Sequence, residues 1–341
     1  MINSVHRSPI ISKVRAILQD KLYFFGTVNP SFAYIVQLSA NPQVTVRVTT
    51  IRISVSTIKI LGCFFVLTSV KFLQENSAHN VIGGVKMIIQ KLTWAGIALS
   101  VQEQTILIDP IEMEKEPPRS PFSANLGKPR EKMIPLQQFR HASAVFITHL
   151  HPDHFDPAAI IATFGKDIPV YVPMEAAEAA ATAGLRNVSG VRPGKSINIA
   201  SFRVIATHAV DGFGSPQVSW IVQSDGQTVI HCGDTLWHGY WWQIARQYGP
   251  FRVALLPVNG AVLTIPGLSV QSTLPACMTP EEAVEAARIL GAGTLVPIHF
   301  QTFHHPPYYI ETPNLLARLQ RRAAERDVRL HVLEPGESLS F

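Results

Sequence analysis

The stretch AVFITHLHPDHFDP, residues 144–157, decides how the fold of this sequence is interpreted. Its first part is apolar and β-branched, a pattern that predicts a buried strand ending at Thr148. Three histidines and one aspartate then follow on what reads as a turn: His149, His151, Asp153 and His154. Imidazole and carboxylate groups at this spacing suit zinc and similar divalent ions, and a histidine-rich surface turn is the alternative. The stretch therefore predicts a metal site that a strand positions and a loop forms.

Three later positions complete a candidate set of ligands, and each one follows a strand-like run. His208 comes after FRVIAT, Asp234 comes after TVIHCG, and His299 comes after TLVPI. Taken singly, each residue could be a core histidine or a turn aspartate. Their common placement at strand ends favours ligands that meet the first four at one edge of the fold.

The run HLHPDH, residues 149–154, resembles the HxHxDH signature of the metallo-β-lactamase superfamily. The resemblance implies an α/β fold, a four-layer αββα sandwich in which two mixed β-sheets are flanked by helices. It also implies two metal ions and a division of the ligands between them. His149, His151 and His208 would hold one ion, Asp153, His154 and His299 would hold the other, and Asp234 would lie between the two.

Residues 88–341 further resemble one branch of that superfamily, through the motifs TWxG, ILIDP, LPVNG and TPEEAVEAARIL. This branch includes L-ascorbate-6-phosphate lactonase and N-acyl-phosphatidylethanolamine-hydrolysing phospholipase D. The chain departs from it at Ile97, where many relatives have histidine. Asp109 of ILIDP is expected either to support the metal loop through a hydrogen bond or to be an ordinary turn residue. Members of the branch cleave lactone, phosphodiester and amide bonds, so the resemblance does not select a substrate.

The predicted mechanism is hydrolysis by a hydroxide that two divalent ions share. Zinc is the expected ion, with manganese or iron(II) as alternatives. Asp153 or Asp234 would orient the attacking group, and His238 would protonate the leaving group. His238 belongs to an aromatic cluster, residues 235–242, that either walls the substrate pocket or packs on the core. A second cluster, residues 303–309, is expected to form the rim of the pocket.

Three other functions compete with this one. A redox di-iron enzyme is disfavoured because such members of the superfamily usually carry a carboxylate where this chain has His151. A nuclease is disfavoured because residues 87–341 are slightly acidic and show no stripe of Lys and Arg, although a small phosphodiester stays open. A non-catalytic binding module is disfavoured because such modules usually lack some metal ligands, whereas all seven candidates are present in this chain. A small-molecule substrate and no nucleic-acid partner are therefore expected, with the oligomeric state undecided.

Composition divides the chain near residue 86. Residues 1–86 hold nine Lys and Arg against two acids, a net charge of +7, whereas residues 87–341 hold 20 against 22. The second part, 87–341, reads as the hydrolase domain, with alternating strand-like and helix-like segments. Three widely spaced cysteines favour a reducing cytoplasm, and no apolar run is long enough to span a membrane.

Residues 1–86 form an uncertain N-terminal segment, without a clear helix period or a chemical motif. Gly83 and Gly84 shortly before Met87 could be encoded by a purine-rich, ribosome-binding sequence. One hypothesis is therefore that Met87 is the native start and that residues 1–86 are translated upstream sequence and poorly ordered. A genuine β-rich extension and a targeting segment are the alternatives.

Overall fold

The computed structural model describes residues 86–113 and 125–341, and of residues 1–85 only the backbone of seven strands. The chain divides into two compact units, Met1–Gly83 and Gly84–Phe341. In the first unit, five strands form an antiparallel sheet of order β1-β2-β3-β4-β7, and β5 pairs with β6. These strands are β1 Val14–Leu18, β2 Lys21–Asn29, β3 Phe32–Leu38, β4 Arg47–Val55, β5 Lys59–Leu61, β6 Phe64–Val66 and β7 Val70–Leu73. The hypothesis that residues 1–86 are translated upstream sequence stays a prediction.

The first sheet of the second unit has seven strands in the order β13-β12-β11-β10-β9-β8-β22. Strands β10 to β13 run parallel to one another, and the other pairs are antiparallel. Its central strands are apolar on both faces because each face is covered. The strands are β8 Met87–Lys91, β9 Ile97–Val101, β10 Gln104–Ile108, β11 Ala144–Phe146, β12 Val170–Pro173, β13 Val188–Val191 and β22 Ser338–Ser340.

The second sheet has six strands in the order β14-β15-β16-β17-β18-β20. Strands β17, β18 and β20 are parallel, and β14 to β17 are antiparallel. A separate two-stranded sheet joins β19 Val262–Leu263 to β21 Tyr309–Ile310. The six strands are β14 Ser196–Ile199, β15 Phe202–His208, β16 Val218–Ser224, β17 Gln227–His231, β18 Val253–Pro257 and β20 Leu295–Ile298.

The helices of the second unit begin at recognisable capping residues in two cases. The Asp156 carboxylate accepts a hydrogen bond from the Ala159 backbone N–H at the start of α1. Thr279 and Glu282 form a capping box at the start of α4. The α-helices are α1 Pro157–Phe164, α2 Ala177–Thr182, α3 Trp241–Tyr248, α4 Pro280–Ile289 and α5 Leu315–Glu325. Short 3-10 helices cover Leu136–Phe139 and Met174–Ala176.

Three apolar clusters hold these elements in four layers. The central cluster lies between the sheets, where the Phe146 ring of the first sheet meets the Trp220 ring of the second edge to face, 5.1 Å between centroids. A second cluster packs α3, α4 and α5 on the six-stranded sheet, and a third packs α1 and α2 on the other sheet. The predicted sandwich of two mixed sheets flanked by helices is confirmed.

Both sheets contribute to one edge of the sandwich. Strands β11, β15, β17 and β20 end there, just before the candidate ligands. A hydrogen bond of 3.0 Å from the Val218 N–H to the Thr148 carbonyl joins the two sheets at this edge. The apolar strands therefore stay buried, and the polar residues that follow them converge at this edge. No helix in the described part of the chain is long and apolar enough to cross a membrane.

Candidate metal centre

Two groups of metal-ligand side chains lie at this edge. Within each group the ligand atoms are within 4.8 Å of one another. The groups contain six of the seven predicted ligands together with Asp211, which the sequence had not suggested. The first group is His149, His151, Asp211 and Asp234, and the second is Asp153, His154 and His299.

Five ligand atoms are buried without a hydrogen-bond partner. Buried polar atoms normally have one, because losing hydration without replacement is costly. A divalent cation would supply the missing partner for each, and imidazole nitrogen with carboxylate oxygen is a suitable donor set. The residues present therefore fit metal ions. These atoms are His149 Nε2, Asp153 Oδ1, His154 Nε2, Asp211 Oδ1 and His299 Nε2.

Asp234 lies between the two groups. Its Oδ1 is 3.6 Å from His149 Nε2, and its Oδ2 is 3.9 Å from His154 Nε2 and 3.8 Å from His299 Nε2. The Gln217 side-chain amide donates a hydrogen bond of 2.9 Å to Oδ1 and fixes the carboxylate plane. One oxygen thus faces each group, which is the placement that a bridging carboxylate needs.

Asp109 supports the second group from behind. Its carboxylate accepts hydrogen bonds from the Thr148 N–H at 2.7 Å and the Thr148 hydroxyl at 2.6 Å, and lies 2.8 Å from His154 Nδ1. A carboxylate partner at Nδ1 fixes the tautomer and leaves Nε2 to bind a cation. The expected supporting role of Asp109 is therefore seen directly in its contacts.

His299 is oriented in a similar way by Asn259. Its Nδ1 lies 3.3 Å from Asn259 Oδ1, and the Asn259 amide donates to the Tyr309 hydroxyl at 2.8 Å. The Cys277 thiol also donates to Asn259 Oδ1, at 2.6 Å. Burial raises the pKa of the Cys277 thiol well above its usual range, so the sulfur keeps its proton and acts as a donor. Asn259 thereby presents His299 Nε2 to the site.

Opposite charges stabilise each other within the second group. Burial by itself would raise the pKa of Asp153, but the charges of His154 and of His299, whose Nε2 lies 3.4 Å from Asp153 Oδ2, hold it well below its usual range. Burial would lower the pKa of His154, yet the charges of Asp153 and Asp234 raise it to about 9. Trp94 Nε1 donates to Asp153 Oδ2 at 3.1 Å. The Asp153 carboxylate therefore stays ionised at the centre of the second group.

His208 and Asp211 differ from the sequence prediction in their placement. His208 ends β15, and its ring stacks on Tyr240 with centroids 4.0 Å apart, outside both ligand groups. Three residues later, Asp211 Oδ2 accepts hydrogen bonds from the N–H groups of Phe213 and Ser215, and Oδ1 lies 3.6 Å from His151 Nδ1. Asp211 thus occupies the place expected for His208, whose ligand role stays a prediction.

His238 also lies outside the ligand groups. Its ring is buried and stacks on Trp241, with centroids 4.1 Å apart, and burial lowers its pKa to about 4. The ring is therefore neutral at pH 7, and its role in protonating a leaving group stays a prediction. In this cluster Trp241 belongs to the core, whereas Trp237, Tyr240 and Trp242 are exposed.

The second aromatic cluster lies around the site without entering either ligand group. Phe303 is buried edge-on against Trp94, with centroids 4.9 Å apart. His304 Nδ1 accepts a hydrogen bond from the Glu311 N–H, and His305 Nδ1 lies 3.1 Å from the Asn125 carbonyl. Both histidines are thus occupied by structural contacts.

A pocket opens directly onto the ligands. Its polar lining consists of ligand side chains, a thiol and a tyrosine, and the remaining lining is apolar. The lining residues are Asp153, Phe213, Asp234, Ala261, Leu263, Ala276, Cys277, His299 and Tyr309. The pocket therefore reaches the second ligand group and Asp234.

Sequence and fold comparisons agree with this geometry. The family described as "Beta-lactamase superfamily domain" matches residues 104–300. A UPF0173 metal-dependent hydrolase from Rubrobacter xylanophilus is 29% identical over 248 residues, which cover 69% of this chain and 88% of that protein. Another from Caldivirga maquilingensis is 28% identical over 256 residues, covering 73% and 97%. The structure of Igni18, a metallo hydrolase from Ignicoccus hospitalis, superposes with a TM-score of 0.56 at 22% identity, covering 75% and 98%.

The sandwich fold and its paired histidine–carboxylate groups define a class of metal-dependent enzymes. With the family match over residues 104–300, the chain belongs to the metallo-β-lactamase superfamily. The prediction that the chain belongs to this superfamily and the prediction that it is an enzyme are both confirmed.

Proposed function

We propose that the chain is a hydrolase with a two-metal site, in which the two ligand groups each hold one divalent ion and Asp234 lies between them. The observation that carries this proposal is the convergence of five buried, unpartnered donor atoms around Asp234. Two divalent ions held by these groups would lower the pKa of a nearby water and polarise the bond to be cleaved. The name that the UPF0173 relatives carry, metal-dependent hydrolase, supports the same reaction class.

The protein groups have separate tasks in this proposal. Asp234, held by Gln217, accepts hydrogen bonds from the attacking water and orients it. Asp153, held by Trp94, keeps the second group compact around its ion. His238 is neutral at pH 7, so it would stabilise the leaving group through a hydrogen bond from its one N–H rather than by transferring a proton. The scissile bond would lie in the pocket between Asp234 and the apolar wall.

For the ions, we propose zinc, with manganese or iron(II) as alternatives. If Asp234 bridges, each ion receives two histidines and two carboxylates. Because Asp211 replaces an imidazole, this set is richer in oxygen than the sequence predicted, and harder ions such as manganese favour oxygen donors. The bond that the enzyme would cleave is an ester, lactone, amide or phosphodiester bond, in keeping with the branch that the motifs resemble. A small-molecule substrate and a cytoplasmic location complete the proposal.

The test is turnover by metal-loaded protein of p-nitrophenyl esters, lactones, N-acyl substrates and bis-p-nitrophenyl phosphate. His149→Ala removes a buried ligand, whereas His141→Ala replaces an exposed histidine and is the matched control. We expect His149→Ala to lose activity by at least about a hundredfold and His141→Ala to keep it. Unchanged turnover in His149→Ala, with metal absent from the variant, would contradict the proposal.

A further inference from the structure

The loop between β15 and β16 reaches the first ligand group at several points. Its residues 211–217 have the sequence DGFGSPQ. Asp211 at the start of this stretch belongs to the first group, and Gln217 at its end donates a hydrogen bond to Asp234. Ser215 lies between them and is half-buried. It contacts one ligand through its backbone and another through its side chain.

The backbone of Ser215 holds Asp211. Asp211 Oδ2 accepts hydrogen bonds from the Ser215 N–H at 2.8 Å and from the Phe213 N–H at 2.7 Å. With Oδ2 held in this way, the buried Oδ1 faces His151, whose Nδ1 is 3.6 Å away. Pro216 follows Ser215 and restricts its backbone to extended conformations. The Ser215 N–H and hydroxyl therefore keep a fixed relation to each other.

The side chain of Ser215 contacts His151. The Ser215 hydroxyl oxygen lies 3.0 Å from His151 Nε2. In a neutral imidazole only one ring nitrogen carries a hydrogen, and the other has a lone pair. When Nε2–H donates to Ser215, the lone pair is on Nδ1, the ring nitrogen that lies beside Asp211 Oδ1. The Ser215 hydroxyl thus favours the tautomer that offers Nδ1 to a cation next to Asp211.

His149 has a comparable hydroxyl neighbour on its other ring nitrogen. Its Nδ1 lies 3.2 Å from the Thr148 hydroxyl, which already donates its own hydrogen to a buried carboxylate and can therefore accept from Nδ1–H. His149 Nε2 then faces Asp234 Oδ1 at 3.6 Å. The rings of His149 and His151 are nearly perpendicular, at 84°. Thr148 and Ser215 thus contact opposite ring nitrogens of the two histidines.

We propose that Ser215 is a positioning residue of the first ligand group, whose hydroxyl orients His151 and whose backbone N–H orients Asp211 toward the same ion. This inference rests on the proposed function, because it concerns one of the two proposed ions. Ser215 acts through two ligands that come from the loops after different strands, His151 after β11 and Asp211 after β15.

The experiment measures zinc binding to the full chain by competition with a chromogenic chelator, fitted with two Kd values. Ser215→Ala deletes the hydroxyl and keeps the backbone N–H. We expect it to raise one Kd by about tenfold to a hundredfold and to leave the other unchanged. Ser215→Thr keeps a hydroxyl and should restore the Kd of the parent. Ser100→Ala is the matched control, since it deletes a half-buried hydroxyl that contacts Thr105 at 2.8 Å on β9 and β10.

A His151→Ala background locates the effect. That variant lacks the ligand that the Ser215 hydroxyl orients, so adding Ser215→Ala should leave the Kd of the remaining ion unchanged. A further loss of affinity in the double variant would show that the hydroxyl acts elsewhere, and would overturn the inference.

The remaining outcomes separate the inference from the proposed function. Two unchanged Kd values in Ser215→Ala would overturn the positioning role while leaving the two-metal site intact. Zinc binding as weak in Ser215→Thr as in Ser215→Ala would do the same, because the hydroxyl would not be the group that acts. A parent protein that binds fewer than two zinc ions would overturn the proposed function, and the inference with it.

Discussion

Asp109 and His154 form a fully buried pair, with the carboxylate Oδ2 2.8 Å from the imidazole Nδ1. The same carboxylate accepts two hydrogen bonds from Thr148, so it cannot rotate away. Asp109 belongs to the loop after β10 and His154 to the loop after β11, two parallel neighbours in one sheet. Sheet pairing thereby fixes the direction in which His154 presents Nε2.

Asp109→Asn is expected to weaken metal binding at the second group by about tenfold to a hundredfold, because a neutral amide supports the imidazole less well. Competition with a chromogenic zinc chelator measures this change. Asp167→Asn is the control, since the Asp167 carboxylate forms an exposed ion pair with Arg186, away from the ligand groups. Equal metal affinity in the parent and Asp109→Asn would show that the buried pair does not orient the ligand.

Trp94→Phe tests the other support of the second group. The change deletes the Nε1 donor to Asp153 while keeping a ring beside His299, 4.0 Å between centroids in the parent. We expect turnover and metal affinity to fall about tenfold. Trp242→Phe alters an exposed tryptophan and should leave both values unchanged. An equal loss in both variants would show that the effect comes from general destabilisation and not from the lost hydrogen bond to Asp153.

Replacement of Asp211 should lower the metal content, whereas replacement of His208 should leave it unchanged. Asp211 Oδ1 is buried without a partner and faces His151, whereas His208 stacks on Tyr240. Elemental analysis should therefore give about one ion per chain in Asp211→Ala and about two in His208→Ala. The reverse pattern would restore the ligand assignment expected from the sequence.

Lys91 gives a dependence of stability on pH. Its side chain is 2% exposed, and burial lowers its pKa from 10.5 to about 8 despite the opposing charges of Glu131 and Glu334. Between these two values the unfolded chain binds more protons than the folded one, so stability rises with pH through that window. The change amounts to at most about 3 kcal/mol.

Lys91→Met should remove this dependence. In thermal unfolding, the Tm of the parent relative to that of the variant is expected to increase from pH 7.5 to pH 9.5. The variant also loses the hydrogen bond that Lys91 Nζ donates to the Trp94 carbonyl at 3.3 Å. The test is therefore how the Tm difference changes with pH, not how large it is. A Tm difference that stays constant across this range would show that burial does not lower the pKa of Lys91.

Sequence patterns predicted the sandwich, and six of the residues that gather at its edge, because both depend on local rules. Apolar runs such as residues 144–148 predict buried strands, and polar residues directly after them must gather where the strands end. Asp211 was missed because it lies three residues beyond its strand, on a turn whose path the sequence does not reveal. A histidine at the strand end, His208, fitted the expected pattern better.

Supporting residues were harder to predict than ligands. Gln217 and Asn259 are isolated polar residues without a spacing that indicates a metal site. Their roles arise from tertiary contacts, Gln217 with Asp234 and Asn259 with His299. Only the LPVNG motif that contains Asn259 offered a signal, and it came from family resemblance. Asp109 was anticipated for the same reason.

The central claim is a two-metal site with Asp234 between its halves, and anomalous X-ray diffraction from metal-loaded crystals tests it most directly. We expect two peaks. One would lie about 2.0–2.2 Å from ligand atoms of His149, His151 and Asp211, and the other at that distance from Asp153, His154 and His299. A single peak, or two peaks neither of which contacts Asp234, would contradict the account.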